Sequence, residues 1–273
     1  MRAVILALVL SLSAAACEGQ APKTALSYTE DAKHAYEAAL AEFDAHNWLD
    51  AQAMMREVKR KYSYSKYARL AELRLADADV AQEKFSDAIR EYKEFIRAHR
   101  SDEENVAYAR SKIAEARYAE IPESFLMPAS EERDQAAVVD AYKELRDFIG
   151  DYPAGKETAH IKELLASVTA RLVRHELYVG RFYLQKGNYE AAVARIQYAL
   201  RNYGLSTTGV LAVSEASELQ AEALLLLGSV YLQMHKWDDA RTAFKAILAR
   251  YAQTPLAVDA RNYLTYMDQQ HMG

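Results

Sequence analysis

Cysteine occurs once in this chain of 273 residues, glycine nine times and proline five times. A single cysteine excludes an intramolecular disulfide framework. So few glycines and prolines leave too few turn residues for an all-β protein, and alternating β-branched strand patterns are missing too. Basic charge is also in short supply. The formal net charge is −5 and the pI about 5.9, which supplies no footprint for nucleic acid and no general attraction to anionic lipid. The apolar run at residues 3–12 falls short of the about 20 residues that a membrane-spanning helix requires.

What the chain does contain is a repeated stripe. Five times an apolar residue is followed by alanine at offset 3, an apolar residue at 7, another or alanine at 10, and a ring at 14. The copies are Trp48, Ala51, Met55, Val58, Tyr62; Phe85, Ala88, Tyr92, Phe95, His99; Val138, Ala141, Leu145, Phe148, Tyr152; Tyr189, Ala192, Ile196, Ala199, Tyr203; and Trp237, Ala240, Phe244, Ile247, Tyr251. These offsets fall on one face of an α-helix, so one supersecondary unit recurs five times. The expected fold is all-α, a superhelix of about five helical hairpins of the tetratricopeptide (TPR) type.

The partner helix of each stripe is predicted at 29–45, 66–82, 103–120, 157–186 and 214–235. Turns are expected at His46-Asn47, Glu83-Lys84, Gly187-Asn188 and Lys236. Leu227-Gly228, Tyr231, Trp237, Ala240, Phe244 and Pro255 match the TPR consensus across a full repeat, and Gly180 with Tyr183 repeats its first half. Small residues there let the helices of a hairpin approach closely. Stripe starts are separated by 37, 53, 51 and 48 residues, against about 34 in a regular array. The surplus goes into a fourth first helix that exceeds 40 Å if continuous, at about 1.5 Å per residue, and into two loops. One loop, 121–133, carries Phe125, Leu126 and Met127 between Pro122 and Pro128, an apolar triplet either tucked onto the body or offered to a partner. The other is 204–212.

The N-terminus reads as an export signal. Arg2 is followed by the apolar run, then by small residues up to Cys17. A cysteine at a small-residue cleavage site is a lipid acceptor, although Ala14 stands where lipoproteins usually carry leucine; a plain signal peptide cut nearby is the alternative. Residues 18–27 form a polar tether. The expected organisation is signal 1–17, tether 18–27, repeats one to three at 28–153, and repeats four and five with a terminal helix at 154–273.

Asn47-Trp48-Leu49-Asp50-Ala51 leading to Arg60-Lys61-Tyr62, then Phe95-Ile96-Arg97, Asp151-Tyr152-Pro153 and the run 178–203 carry a specific resemblance. With the cysteine, the tether and five unequal hairpins, the chain resembles the BamD family of outer-membrane assembly lipoproteins over almost its whole length. Ser63 and Gly204 depart from prolines usual in that family. The resemblance implies a non-catalytic scaffold on the periplasmic face of the outer membrane, lipid-anchored through Cys17. It implies binding of a POTRA domain of a BamA-type barrel protein by the C-terminal repeats, with Arg195 as the contact. It further implies capture of unfolded β-barrel substrates by the N-terminal repeats, and company with other assembly lipoproteins. Tyr28, Tyr36, Tyr64, Tyr67 and Tyr108 cluster in the first three repeats and suit an extended peptide ending in a ring, with core or interhelix packing the alternative for each in a chain of nineteen tyrosines. The competing reading is another lipidated TPR protein, a secretin pilotin or a cell-wall adaptor.

Catalytic and cofactor chemistry finds no motif. The segment 150–157 nearly spells a phosphate-binding loop, but Glu157 stands where serine or threonine is required and Pro153 interrupts it. The seven histidines lack the pairing of a zinc site. Glu103-Glu104 and Glu131-Glu132 read as solvated residues at helix beginnings. No cofactor, metal or nucleic-acid partner is expected.

Overall fold

The computed structural model describes residues 24–122, 129–203 and 213–272. Cys17, most of the tether, the triplet Phe125, Leu126 and Met127, and the loop 204–212 lie outside the described residues. Among those described there are eleven α-helices and one 3-10 turn, and no strand. The order is α1 (Ala25–Asp44), α2 (Trp48–Lys61), α3 (Lys66–Ala81), α4 (Phe85–Ala98), α5 (Glu103–Ala119), α6 (Ala136–Asp151), α7 (Thr158–Gln185), α8 (Tyr189–Asn202), α9 (Val213–Gln233), α10 (Trp237–Arg250) and α11 (Leu256–Gln269), with the turn Ser130–Glu132 before α6. The fold is a series of helical hairpins. Two compact units divide the chain, one ending at Ala78 and one beginning at Asp79.

Each stripe sits where its period puts it. The five alanines at offset 3 are all 0% exposed, and the offset-7 residues Met55, Tyr92, Leu145, Ile196 and Phe244 are buried. The ring at offset 14 is the C-cap of its helix in all five cases. Its N–H donates to the carbonyl of the offset-10 residue: Val58, Phe95, Phe148, Ala199 and Ile247. Tyr62, His99, Tyr152 and Tyr251 then each accept a hydrogen bond from the N–H three residues on, forming a shared turn into the next helix.

The turns inside the hairpins are also one device. His46, Glu83, Gly187 and His235 take left-handed conformations, with φ of 61°, 59°, 71° and 55°. The next residue in each case donates its N–H to the carbonyl five residues back: Asn47 to Glu42, Lys84 to Asp79, Asn188 to Tyr183 and Lys236 to Tyr231, at 2.9, 2.9, 3.0 and 2.9 Å. This is the Schellman arrangement, which satisfies carbonyls left over at a helix end and reverses the chain within two residues. Glycine supplies the positive φ without strain only at Gly187. His46 and His235 instead lay their rings edge-on against Trp48 and Trp237, at centroid distances of 5.1 and 5.0 Å.

Close approach of α9 and α10 requires glycine at Gly228, where an added Cβ would lie 2.5 Å from the Phe244 ring. α7 is continuous over 28 residues, about 42 Å at 1.5 Å per residue. α1 begins four residues before the predicted start because the Thr24 hydroxyl caps it, accepting from the Ser27 N–H at 3.2 Å. The described ends of the connection between α5 and α6 are tied to each other and to α7. The Arg133 guanidinium donates to the Pro122 carbonyl at 2.8 Å, and His175 Nδ1 meets the Glu131 carbonyl at 2.7 Å. Glu131 and Glu132 belong to that 3-10 turn, whereas Glu103 and Glu104 open α5 and face the positive end of its dipole.

Candidate partner-binding sites on the repeats

The fourth hairpin carries Arg195 on α8. Its Nη1 lies 3.4 Å from Oε2 of Glu176 on α7; the arginine side chain is 47% exposed and the glutamate side chain 8%. Glu176 continues the buried row Leu165, Val168, Leu172 along α7, so the sequence places an acid where an apolar residue is expected. Burying a carboxylate is costly unless it is paired and hydrogen-bonded, and here a cation from the neighbouring helix provides the pairing. Arg195 is thereby held by one nitrogen of its guanidinium while about half of the side chain remains exposed. The chemical capacity of this arrangement is recognition of an external carboxylate by an oriented guanidinium.

Three tyrosines pack together around Tyr203, the residue that ends α8 and is reached by the Glu176 charge. Tyr142 on α6 and Tyr198 on α8 meet the Tyr203 ring at centroid distances of 5.4 and 5.8 Å, and the Tyr142 hydroxyl donates to the Asn202 carbonyl at 3.3 Å. Burial, followed by the hydrogen bond with Tyr198, raises the ionisation of the Tyr203 hydroxyl well above the ordinary tyrosine range; the Glu176 charge adds to the effect.

The N-terminal tyrosines divide into three groups. Tyr36 is buried at 7% exposure and its ring lies 5.7 Å from that of Tyr67; Tyr28 stands edge-on to Tyr62 at 5.4 Å and donates its hydroxyl to the Lys61 carbonyl at 3.4 Å. These rings form one cluster with Met55, Val58 and Leu75. Tyr64 stands apart at 95% exposure, on the turn between α2 and α3. Tyr108 belongs to the second unit, half-buried on α5 under Lys112.

The near match to a phosphate loop is a helix-to-helix turn. α6 runs through Asp151, and the Thr158 hydroxyl donates to the Tyr152 carbonyl at 2.6 Å to open α7. Among the described residues no three His, Cys, Asp or Glu side chains are grouped to hold a metal ion, and no helix is long and apolar enough to cross a membrane.

A family model described as YfiO, outer membrane lipoprotein, matches residues 29–229. The chain belongs to this family of BamD-type outer membrane lipoproteins. A tetratricopeptide repeat model matches residues 225–265, the hairpin in which Gly228 meets Phe244. An outer membrane protein assembly factor BamD of Caulobacter vibrioides is 26% identical over 238 residues, covering 87% of this chain and 72% of the relative. The factor of the same name from Neisseria gonorrhoeae is 24% identical over 257 residues, covering 92% and 91%. A thermophilic TPR protein of Thermus thermophilus aligns over 86% of this chain and 99% of its own, at 15% identity and a TM-score of 0.33.

Proposed function

We propose that the chain acts in outer-membrane protein assembly as a non-catalytic scaffold. It is held at the periplasmic face by a lipid on Cys17, with a POTRA domain of a BamA-type barrel protein bound at the fourth hairpin. Other assembly lipoproteins and unfolded β-barrel substrates complete the set of partners. The observation that carries the reading is the family match over 29–229, which spans the repeats from α1 into α9.

Arg195 is the residue through which the POTRA contact is made. A half-exposed guanidinium already oriented by a buried carboxylate loses little freedom on binding, which favours a specific ion pair with an acidic partner residue. Substrate capture falls to the N-terminal repeats. With Tyr36 committed to packing, the edges of Tyr28 and Tyr67 and the exposed Tyr64 are what the first unit can offer.

The test is calorimetric titration of the full chain with the periplasmic POTRA domains of the barrel protein from the same host. Arg195→Glu is expected to weaken binding by a factor of about ten or more, with Arg195→Met intermediate. Unchanged affinity in Arg195→Glu, with the helical fold intact by circular dichroism, removes this contact from the interface.

A further inference from the structure

Net charge conceals a local concentration of the opposite sign. Between residues 56 and 69 stand Arg56, Lys59, Arg60, Lys61, Lys66 and Arg69 against the single acid Glu57, so this stretch carries six positive charges and one negative, +5, in a chain of −5. Glu57 pairs with Arg60 at 2.7 Å, and Glu72 pairs with Lys59 at 3.5 Å. Lys61 and Lys66 lie over the rings of Tyr62 and Tyr67, at 5.4 and 5.2 Å from the centroids. Part of this basicity suits the negative end of α2, whose last turn is Lys59, Arg60 and Lys61. The helix dipole gives no reason for Lys66, or for the two apolar groups at the same end. Tyr64, on the α2–α3 turn, is 95% exposed, and Leu26, two residues before the Tyr28 that bonds to Lys61, is 70% exposed. The first turn of α1 contains no acid.

We infer that this end of the first hairpin docks on an anionic phospholipid surface, with Lys61 and Lys66 at the phosphates and Tyr64 and Leu26 at headgroup depth. A tip that projects an aromatic ring between cations is suited to a fluid interface: the ring sits among headgroups while the lysines reach lipid phosphate. Membership of an outer membrane lipoprotein family places a bilayer within reach of the chain. The inference stands independently of the POTRA contact, since it concerns the first unit and that contact concerns the second; it assigns Tyr64 to lipid and leaves Tyr28 and Tyr67 to substrate capture.

The experiment uses the full chain purified from its host membranes and reconstituted into vesicles of brominated phosphatidylethanolamine, with either a quarter phosphatidylglycerol or the same fraction of phosphatidylcholine. Tyr64→Trp introduces an indole at an exposed position, and the signal of Trp48 and Trp237 is subtracted with the parent protein. Bromine quenching of the added indole is expected in the anionic vesicles and is expected to be largely absent from the neutral ones. Lys61→Gln with Lys66→Gln should lower it at least about fivefold, because each cation near such a surface adds a factor of about five to binding. Quenching that is equal in both vesicle types, absent from both, or indifferent to the lysine substitutions overturns the proposal. So does loss of an acidic protein partner in the lysine variant without any quenching.

Discussion

The first hairpin and the last two share a register but fill it differently. Seven residues before the left-handed turn residue stand Ala39 in α1, Gly180 in α7 and Gly228 in α9. Ala39 is fully buried in a cluster that includes Met55, whose flexible thioether adapts to a Cβ in its path. Gly180 and Gly228 face the offset-7 residues Ile196 and Phe244. A Cβ there would lie 3.0 Å from Ile196 Cγ1 but 2.5 Å from the Phe244 ring. Helix spacing is therefore set by a pair of positions taken together: the bulkier and stiffer the offset-7 side chain, the smaller the residue opposite it must be.

Breaking that pair at its large member gives the largest effect. Phe244, fully buried and stacked on Tyr263 at 4.8 Å, is expected to cost about 3–5 kcal/mol when changed to alanine. The same change at Met55 is expected at the lower end of about 2–5 kcal/mol. Urea melts of the two variants compare them directly. Gly228→Ala is expected to cost about 1–3 kcal/mol by overpacking. Adding Phe244→Leu should recover part of that loss, and a double-mutant cycle without coupling would refute the paired-position account. Gly180→Ala should come out near neutral, because the Ile196 branch can shift by a few tenths of an ångström while alanine gains up to about 1 kcal/mol of helix propensity.

The fourth hairpin also carries a dependence on alkaline pH. Tyr203 ionises well above the usual value of 10.0, so the folded state retains a proton that the unfolded state releases. Its contribution is fully present below about pH 10 and is lost as the pH rises from there through the folded-state value. Tyr203→Phe should flatten the decline in stability measured by denaturant melts above pH 10.

The smallest differences lie in the turns. Glu83→Gly removes a positive-φ penalty and is expected to stabilise by up to about 1 kcal/mol. In His46→Gly the same relief is offset by loss of the ring contact with Trp48, worth about 0.5–1.5 kcal/mol, so its melting temperature should scarcely change.

Much of this was legible in the chain because helix period and turn chemistry are local. The stripe helices, the αL turns and the partner helices fall within a few residues of where spacing alone puts them; α1 deviates most, owing to the Thr24 cap. The site was less legible. Arg195 is a candidate only through the family resemblance, and the acid that pairs with it, Glu176, shows in the sequence only as a break in the row Leu165, Val168, Leu172. The contact of His175 with the Glu131 carbonyl, 44 residues away, has no signal in the helical period. The basic tip was hidden by the net charge.

The sequence by itself determined the hairpins: the period of the stripes, the rings that cap them, and the residues that reverse the chain all act within about seven residues of one another. Tertiary structure decided which polar groups are buried and which are free to meet a partner. The cost of burying Glu176, and the exposure of Tyr64 where the equally aromatic Tyr36 is buried, depend on which helix packs across from each, a distance of 19 residues in the case of Glu176 and Arg195 that no local pattern spans.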